Sequence, residues 1–117
     1  MDKLEFYRQC IQKILTEYSK CPPVNGDIEV QTIFDPKNDH YQVVDLGWDK
    51  HRRIYNCVMH FDIKDGKIWI QRNQTDDVLA SELVKMGVAK EDIILGLQPE
   101  YVREYAGYGV VCNTKKT

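Results

Sequence analysis

Apolar side chains recur at spacings of three and four residues over the first eighteen positions of the chain. This spacing places them along one face of an amphipathic α-helix of about five turns. The residues of this face are Leu4, Tyr7, Ile11, Ile14, Leu15 and Tyr18. We expect the helix to end at Cys21-Pro22-Pro23, because proline cannot continue a helix and displaces the residue before it from the helical conformation.

From Asp27 onward the apolar period changes to two, which is the period of a β-strand. A first strand begins there, and the turn-forming run 35–39 separates it from a second strand over 40–48. A third strand covers 53–63. The Asp-Gly pair at 65–66 favours a tight hairpin into a fourth strand over 68–70, since these residues adopt the positive φ angles that such a turn needs.

The alternation along the third strand predicts which of its side chains face the core. We expect the core face to consist of Tyr55, Cys57, Met59, Phe61 and Ile63. His60 and Asp62 are then expected on the opposite face. In the fourth strand Trp69 lies opposite its apolar neighbours, so that it either meets a covering helix or is exposed.

The helical period returns after residue 73 and predicts a second helix capped by Thr75 or Asp76. Gly87 suits the left-handed position just past the end of this helix, with Val88 packing back on it in a Schellman cap. Proline at position 99 favours a last short helix over 98–105, because the first helical position loses no amide hydrogen bond.

The order of elements predicts an α+β fold that consists of an N-terminal helix, a four-stranded antiparallel meander sheet and two C-terminal helices. No linker is long enough to separate two domains, so we expect a single domain over residues 1–117. A chain of this length can bury a core of its own without a metal or a disulfide.

The formal net charge is −2, from 16 basic and 18 acidic residues, which argues against a general nucleic-acid binder. The charge is unevenly placed. Residues 50–72 hold six basic and two acidic side chains, whereas residues 76–104 hold three basic and seven acidic ones. Near-neutrality is therefore a cancellation between segments, and the third and fourth strands concentrate positive charge.

We call residues 50–72 the basic hairpin, and we take it as the candidate surface for a partner or for DNA. The residues of this surface are Lys50, Arg52, Arg53, Lys64, Lys67, Trp69 and Arg72. Two interpretations are open: a solvated or protein-binding face, and a face that contacts phosphate while aromatic rings stack on bases. The negative total charge favours the first. A homo-oligomer that uses the Trp69 face is a further hypothesis.

The cysteines and the N-terminus predict a cytoplasmic protein without a metal or a cofactor. The four cysteines form no CxxC pair, and we expect Cys57 and His60, three residues apart on one strand, to point to opposite faces. Charges at positions 2, 3 and 5 stand where a signal peptide would need an apolar core, and no apolar run has the length of a membrane span. The thiols are then expected to be reduced.

A third class of function is a metal-dependent nuclease. Asp62 and Lys64, with Asp45 or Asp49 upstream, imitate the arrangement of carboxylates and lysine that such enzymes use. Lys64 begins a hairpin turn, however, where charged residues are ordinary, and a short motif without its structural context is weak evidence. We therefore predict no catalytic residue.

A series of motifs covers nearly the whole chain, from the first helix to about residue 110. It consists of GDIEVQTIFD at 26–35, HYQ at 40–42, GW at 47–48 with RIY at 53–55, KIWIQ at 67–71, ELV at 82–84, GV at 87–88 and KEDIILG at 90–96. Together these motifs closely resemble the XisI family, the fdxN element excision controlling factors of cyanobacteria. Asn73 and Gln98 stand where that family often has aspartate and histidine.

The resemblance implies an accessory factor for the developmentally timed, site-specific excision of a DNA element that interrupts a nitrogen-fixation operon. In that family the strand-exchange chemistry belongs to a separate recombinase, XisF, and the usual companion is a protein called XisH. We therefore expect a non-enzymatic regulatory factor that acts through an XisH-like protein, in the setting of a site-specific recombinase complex. Direct DNA contact by the basic hairpin is the alternative.

Overall fold

The computed structural model describes residues 2–20, 27–75, 77–103 and 106–109 of the chain. The helices are α1 (Lys3–Ser19), α2 (Leu79–Lys85) and α3 (Glu100–Arg103), and the strands are β1 (Asp27–Asp35), β2 (His40–Asp49), β3 (Arg52–Lys64), β4 (Lys67–Asn73) and β5 (Ile93–Ile94). This is the expected α+β class. In the described part of the chain no helix combines the length and the apolar character that crossing a membrane requires.

The first helix is the amphipathic helix that the spacing predicts. The Asp2 carboxylate accepts a hydrogen bond from the Glu5 amide at 2.8 Å and so caps the helix N-terminus. Tyr7, Ile11 and Leu15 of its apolar face are buried in the core. The helix ends at Ser19, before the proline pair. Residues 21–23, at which the sequence predicts the end of this helix, lie outside the described residues.

The sheet has five strands rather than the predicted four, in the order β1-β2-β3-β4-β5. The first four form the expected antiparallel meander. The fifth pairs in parallel with β4, with Ile68 opposite Ile93, because the chain returns to the sheet through α2 and a short 3₁₀ turn. The prediction of a purely antiparallel sheet is therefore wrong at this edge. A two-residue buried strand has no alternation for a sequence pattern to detect.

Both C-terminal helices begin later than predicted. Val78 occupies the N-cap position of α2 and makes no side-chain capping hydrogen bond, whereas Thr75 lies in a turn where its amide donates to Asn73 Oδ1 at 2.9 Å. Asp76, the other predicted cap, lies outside the described residues, as do residues 104–105 at the end of the last predicted helix. The Schellman cap is confirmed: Gly87 has a φ of 109°, and the Val88 amide donates to the Leu83 carbonyl at 3.0 Å.

An irregularity in β3 decides which face its side chains occupy. Consecutive residues of β2 pair with Met59 and Cys57, which leaves Val58 as the extra residue of a β-bulge. Val58 and Met59 are both buried in the core, so the alternation before the bulge is shifted by one position. Tyr55 and Cys57 consequently face away from the core, and Cys57 lies on the same face as His60. The predicted faces of Tyr55 and Cys57 are wrong for this reason.

Candidate functional site

The helices α1 and α2 contribute to one hydrophobic core with the sheet, and we call the sheet face that they cover the inner face and the opposite one the outer face. The register places Ile33, Trp48 and Tyr55 on the outer face of β1, β2 and β3. These side chains are 48%, 50% and 73% exposed. Trp48 and Tyr55, with Leu46, which is paired with Tyr55, form the apolar outer face, whereas Ile33 lies opposite Gln42, six positions along β2 from Trp48. Exposed large apolar side chains that share one face are typical of interaction surfaces.

The residues of the basic hairpin do not form one patch. Lys50, Arg52 and Arg53 lie at the β2–β3 turn, Lys64 and Lys67 lie at the β3–β4 turn, and Trp69 and Arg72 lie on β4. The eleven residue steps from Arg53 to Lys64 along β3 correspond to about 36 Å, at roughly 3.3 Å per residue of extended strand. The sheet therefore places the cations of the two turns at opposite ends of one long strand, with Arg72 between them on β4. Their role in binding a partner or DNA stays a prediction.

The three arginines of the basic hairpin already have partners within the chain. Arg52 Nη2 lies 3.5 Å from Asp49 Oδ2. The guanidinium carbon of Arg53 lies 5.5 Å from the centre of the Trp48 ring, a cation–π distance. Arg72 donates from Nε to the Cys57 carbonyl oxygen at 2.6 Å. These contacts hold the cations close to the sheet and leave fewer of them free for phosphate.

Trp69 is partly covered by its own chain. Lys64 Nζ lies 5.1 Å from the centre of its ring, and the guanidinium carbon of Arg103 lies 5.5 Å from it. A Cβ at Gly96 would come within 3.1 Å of Trp69 Cε3, so the segment after β5 also packs closely on the ring. Trp69 is thus half-buried, and the exposed apolar area lies at Trp48 and Tyr55 instead.

A polar cluster lies on the same outer face of the sheet, toward the opposite end of β2 and β3 from Trp48 and Tyr55. His40 Nδ1 and His60 Nε2 each lie 2.8 Å from the same oxygen of Asp62, Oδ1. The second oxygen of Asp62, Oδ2, accepts a hydrogen bond from Gln71 Nε2 at 3.1 Å. We call His40, His60 and Asp62 the His–Asp–His cluster. The three potential ligand atoms lie within 4.8 Å of one another.

Strand register assembles this cluster. His40 on β2 lies directly opposite Asp62 on β3, and His60 precedes Asp62 by two residues, which keeps both on one face. A second bulge lies between β3 and β4, where the register shifts at His60/Phe61 and leaves Gln71 as the extra residue. Bulges re-aim side chains, and this one accompanies the hydrogen bond from Gln71 to Asp62.

The cluster holds its carboxylate in the ionised form. Burial of Asp62, which is only 6% exposed, acts to raise the pKa of its carboxyl. Hydrogen bonds from His40, His60 and Gln71 outweigh this effect and hold that pKa below its ordinary value. The same hydrogen bond to Asp62 raises the pKa of His40. The outer face therefore presents a buried, charged carboxylate between two imidazoles.

The sequence indicates only part of this cluster. His60 and Asp62 are predicted on one face of the third strand, as observed, but His40 joins them only through the β2–β3 register. The carboxylates considered for a nuclease do not come together. Asp45 faces α1, where Tyr18 donates to its Oδ2 at 3.5 Å, and Asp49 lies on that same inner face by strand alternation.

Comparison with known proteins gives the family. A search of curated proteins finds no match. Among solved structures, the chain is similar to a XisI-like protein from Anabaena variabilis ATCC 29413, with 50% identity and a TM-score of 0.86 over 94% of this chain and 100% of that one. It is also similar to the fdxN element excision controlling factor XisI from the same organism, with 29% identity and a TM-score of 0.82 over the same shares. The sequence model described as XisI protein matches residues 1–110, and the chain therefore belongs to the XisI family.

Proposed function

We propose that this protein is a non-enzymatic accessory factor that controls site-specific excision of a DNA element, and that it acts by binding an XisH-like protein through its apolar outer face. The family membership and the name of the second solved structure support a role in the control of excision. The position of the exposed aromatic residues supports the apolar outer face as the surface that binds the partner. The chemistry of strand exchange then belongs to a separate recombinase.

The observation that carries the proposal is the exposure of Tyr55 and Trp48, diagonal neighbours on two paired strands, on one face of the sheet. Tyr55 is 73% exposed and Trp48 is 50% exposed, although burial of either ring away from water would be energetically favourable. The Arg53 guanidinium lies against the Trp48 ring. Tryptophan, tyrosine and arginine are the residue types that most often contribute the binding energy of protein interfaces. These three residues therefore fit the centre of a protein-binding surface.

Direct DNA binding by the basic hairpin is less well supported. Phosphate binding gains most from several free cations that follow one backbone. Here Arg52 and Arg53 lie at one end of β3 and Lys64 and Lys67 at the other, and Arg52, Arg53 and Arg72 make contacts within the chain. Direct DNA contact is therefore the alternative function, and the DNA-binding measurement described below tests it.

The test mixes the purified chain with an XisH-like protein from the same genome and measures the complex by gel filtration and calorimetry. We expect Trp48→Ser and Tyr55→Ser each to weaken binding at least about 10-fold, as interface centres do. Tyr101→Ser is the matched control, since Tyr101 is an equally exposed aromatic residue on α3. Absence of a complex, or equal binding by all three variants, would overturn the proposal.

Two further measurements separate the alternative occupants of this surface. Sedimentation of the chain alone shows whether a second copy uses it, and a dimer abolished by Tyr55→Ser would replace the XisH-like partner in the proposal. Binding of element-border DNA at several salt concentrations tests the other alternative. A steep salt dependence that Arg52→Ala and Arg53→Ala reduce would assign the function to DNA contact.

A further inference from the structure

The His–Asp–His cluster brings two imidazole nitrogens and one carboxylate oxygen to a common point on the outer face. Imidazole nitrogen and carboxylate oxygen are ligands that divalent transition metals prefer in proteins. We propose that His40, His60 and Asp62 form a binding site for one divalent first-row transition-metal ion of the zinc class. This inference goes beyond the proposed function and does not depend on it.

The distances are close to those of a loaded site. Zinc binds nitrogen and oxygen ligands at about 2.0–2.1 Å, so neighbouring ligand atoms around one tetrahedral ion lie about 3.3 Å apart. Each histidine nitrogen now lies 2.8 Å from Asp62 Oδ1. Loading an ion in place of the shared protons requires each histidine nitrogen to move about half an ångström away from Asp62 Oδ1, and the two histidine nitrogens, which lie within 4.8 Å of each other, to settle at about 3.3 Å.

The site is held by its surroundings before any ion binds. Asp62 and His40 are fixed opposite each other by the β2–β3 ladder. Asp62 is almost completely buried, and Gln71 donates to the oxygen that does not contact the histidines. Such a hydrogen bond orients a carboxylate ligand, and the loss of an orienting partner commonly weakens metal binding about 10- to 100-fold. Gln71 is therefore a positioning residue of the proposed site.

The site also has an open side. The side chain of His40 is 54% exposed, so solvent reaches the cluster and an ion has a route of entry. Three protein ligands with one position left for water are typical of zinc sites that exchange a ligand. Two cations, Lys64 and Arg72, lie near the cluster. Lys64 lies over Trp69, and Arg72 donates to a backbone carbonyl, so both cations are engaged elsewhere and leave Asp62 Oδ1 to the histidines.

The experiment titrates the untagged, EDTA-treated full chain with Co²⁺ and Zn²⁺ and follows Co²⁺ absorption, Zn²⁺ calorimetry and the histidine imidazole resonances. We expect one equivalent of either ion to bind and to perturb the resonances of His40 and His60 but not those of His51. His51 is the matched control because it is the third histidine of the chain and lies exposed at the β2–β3 turn. Mg²⁺, which prefers oxygen ligands, should not compete.

Variants assign the ligands. His40→Ala should weaken binding more than about 10-fold and Gln71→Leu about 10-fold, whereas His51→Ala should bind like the original chain. His40 is exposed, so its replacement tests the site without risk to the core. Binding of less than one equivalent, unchanged binding by His40→Ala, or loss of binding by His51→Ala would overturn the proposal. Metal binding is measured without a partner, so its failure would leave the test of the apolar outer face unaffected.

Discussion

Arg8 of α1 and Asp39 of the β1–β2 turn form a two-point ion pair, with Arg8 Nε 2.8 Å from Asp39 Oδ1 and Nη2 3.3 Å from Oδ2. The Tyr41 hydroxyl donates to the same Oδ1 at 2.9 Å. The side chains of the pair are only partly exposed, which gives paired charged hydrogen bonds more weight than they have at a fully solvated surface. The pair connects the first helix to the turn that leads into His40.

Replacement of Arg8 by glutamine should lower the free energy of unfolding by more than the loss of an unpaired surface charge does, because Asp39 loses two charged hydrogen bonds. Urea unfolding followed by circular dichroism measures the change. Lys13→Gln is the control, since it removes an exposed positive charge from the same helix and should cost less than about 0.5 kcal/mol. Equal losses in the two variants would show that the ion pair does not contribute.

A second connection joins α1 to the segment that follows α2. The Tyr7 hydroxyl donates to Asp92 Oδ2 at 2.5 Å, and Lys3 Nζ lies 3.1 Å from the same oxygen. Burial of Asp92 acts to raise the pKa of its carboxyl, but the hydrogen bonds from Tyr7 and Lys3 lower it below the ordinary value. The ionised carboxylate is thus favoured more in the folded protein than in the unfolded chain.

The sign of the resulting pH dependence follows from linkage. Asp92 stabilises the fold above its unfolded pKa of about 3.9, and this contribution is lost as the pH falls through the lower folded pKa. Asp92→Asn should therefore be less stable than the original chain at pH 7, and the difference should shrink toward pH 2. Denaturant unfolding across this range measures it. Asp77→Asn, at an exposed position, is the control and should change stability at pH 7 by less than about 0.5 kcal/mol. A gap between Asp92→Asn and the original chain that is constant with pH would contradict the assignment.

The parts of the fold that the sequence predicts correctly are those that local interactions determine. The apolar spacing of α1, the Asp65-Gly66 turn and the Gly87 cap each depend on neighbours within one or two turns of chain. Asp65 and Gly66 have φ angles of 53° and 77°, as the tight hairpin requires. The sequence does not predict the bulge at Val58, because a bulge exists only relative to the strand beside it.

The same limit applies to the candidate site. His60 and Asp62 are two residues apart, so their common face could be predicted from alternation alone. His40 lies twenty-two positions from Asp62 and joins it only through the β2–β3 pairing. The fifth strand depends in the same way on the path of the chain after α2. Features set by strand pairing therefore need the structure.

The bulge leads to different expectations for two residues that simple alternation places together. Met59→Ala should cost about 2–5 kcal/mol, because it opens a cavity in the core. Tyr55→Ala should cost less than about 1 kcal/mol, because the Tyr55 ring is already in solvent. Chemical denaturation of the two variants gives the comparison. Equally large losses would mean that β3 alternates without interruption and that Tyr55 packs in the core.

Asp45 is a buried carboxylate whose hydrogen bonding is incomplete. The Tyr18 hydroxyl donates to its Oδ2 at 3.5 Å, a long hydrogen bond, and Oδ1 is buried without a partner among the described residues. Burial raises the pKa of Asp45, and the hydrogen bond from Tyr18 offsets only part of this effect. The ionised side chain therefore costs the folded state free energy at neutral pH.

Asp45→Asn should accordingly make the protein more stable at pH 7, by about 1 kcal/mol, since the amide is cheaper to bury than the carboxylate. The contribution of Asp45 to stability is largest below its unfolded pKa of about 3.9 and is lost as the pH rises through the higher folded pKa. The gain in the variant should therefore be small at pH 4 and full at pH 7, as measured by urea unfolding at both values. Asp49→Asn, on the same strand but more exposed, is the control and should bring no gain. A variant that is less stable than the original chain at pH 7 would mean that the Asp45 carboxylate has a partner in solution that satisfies it.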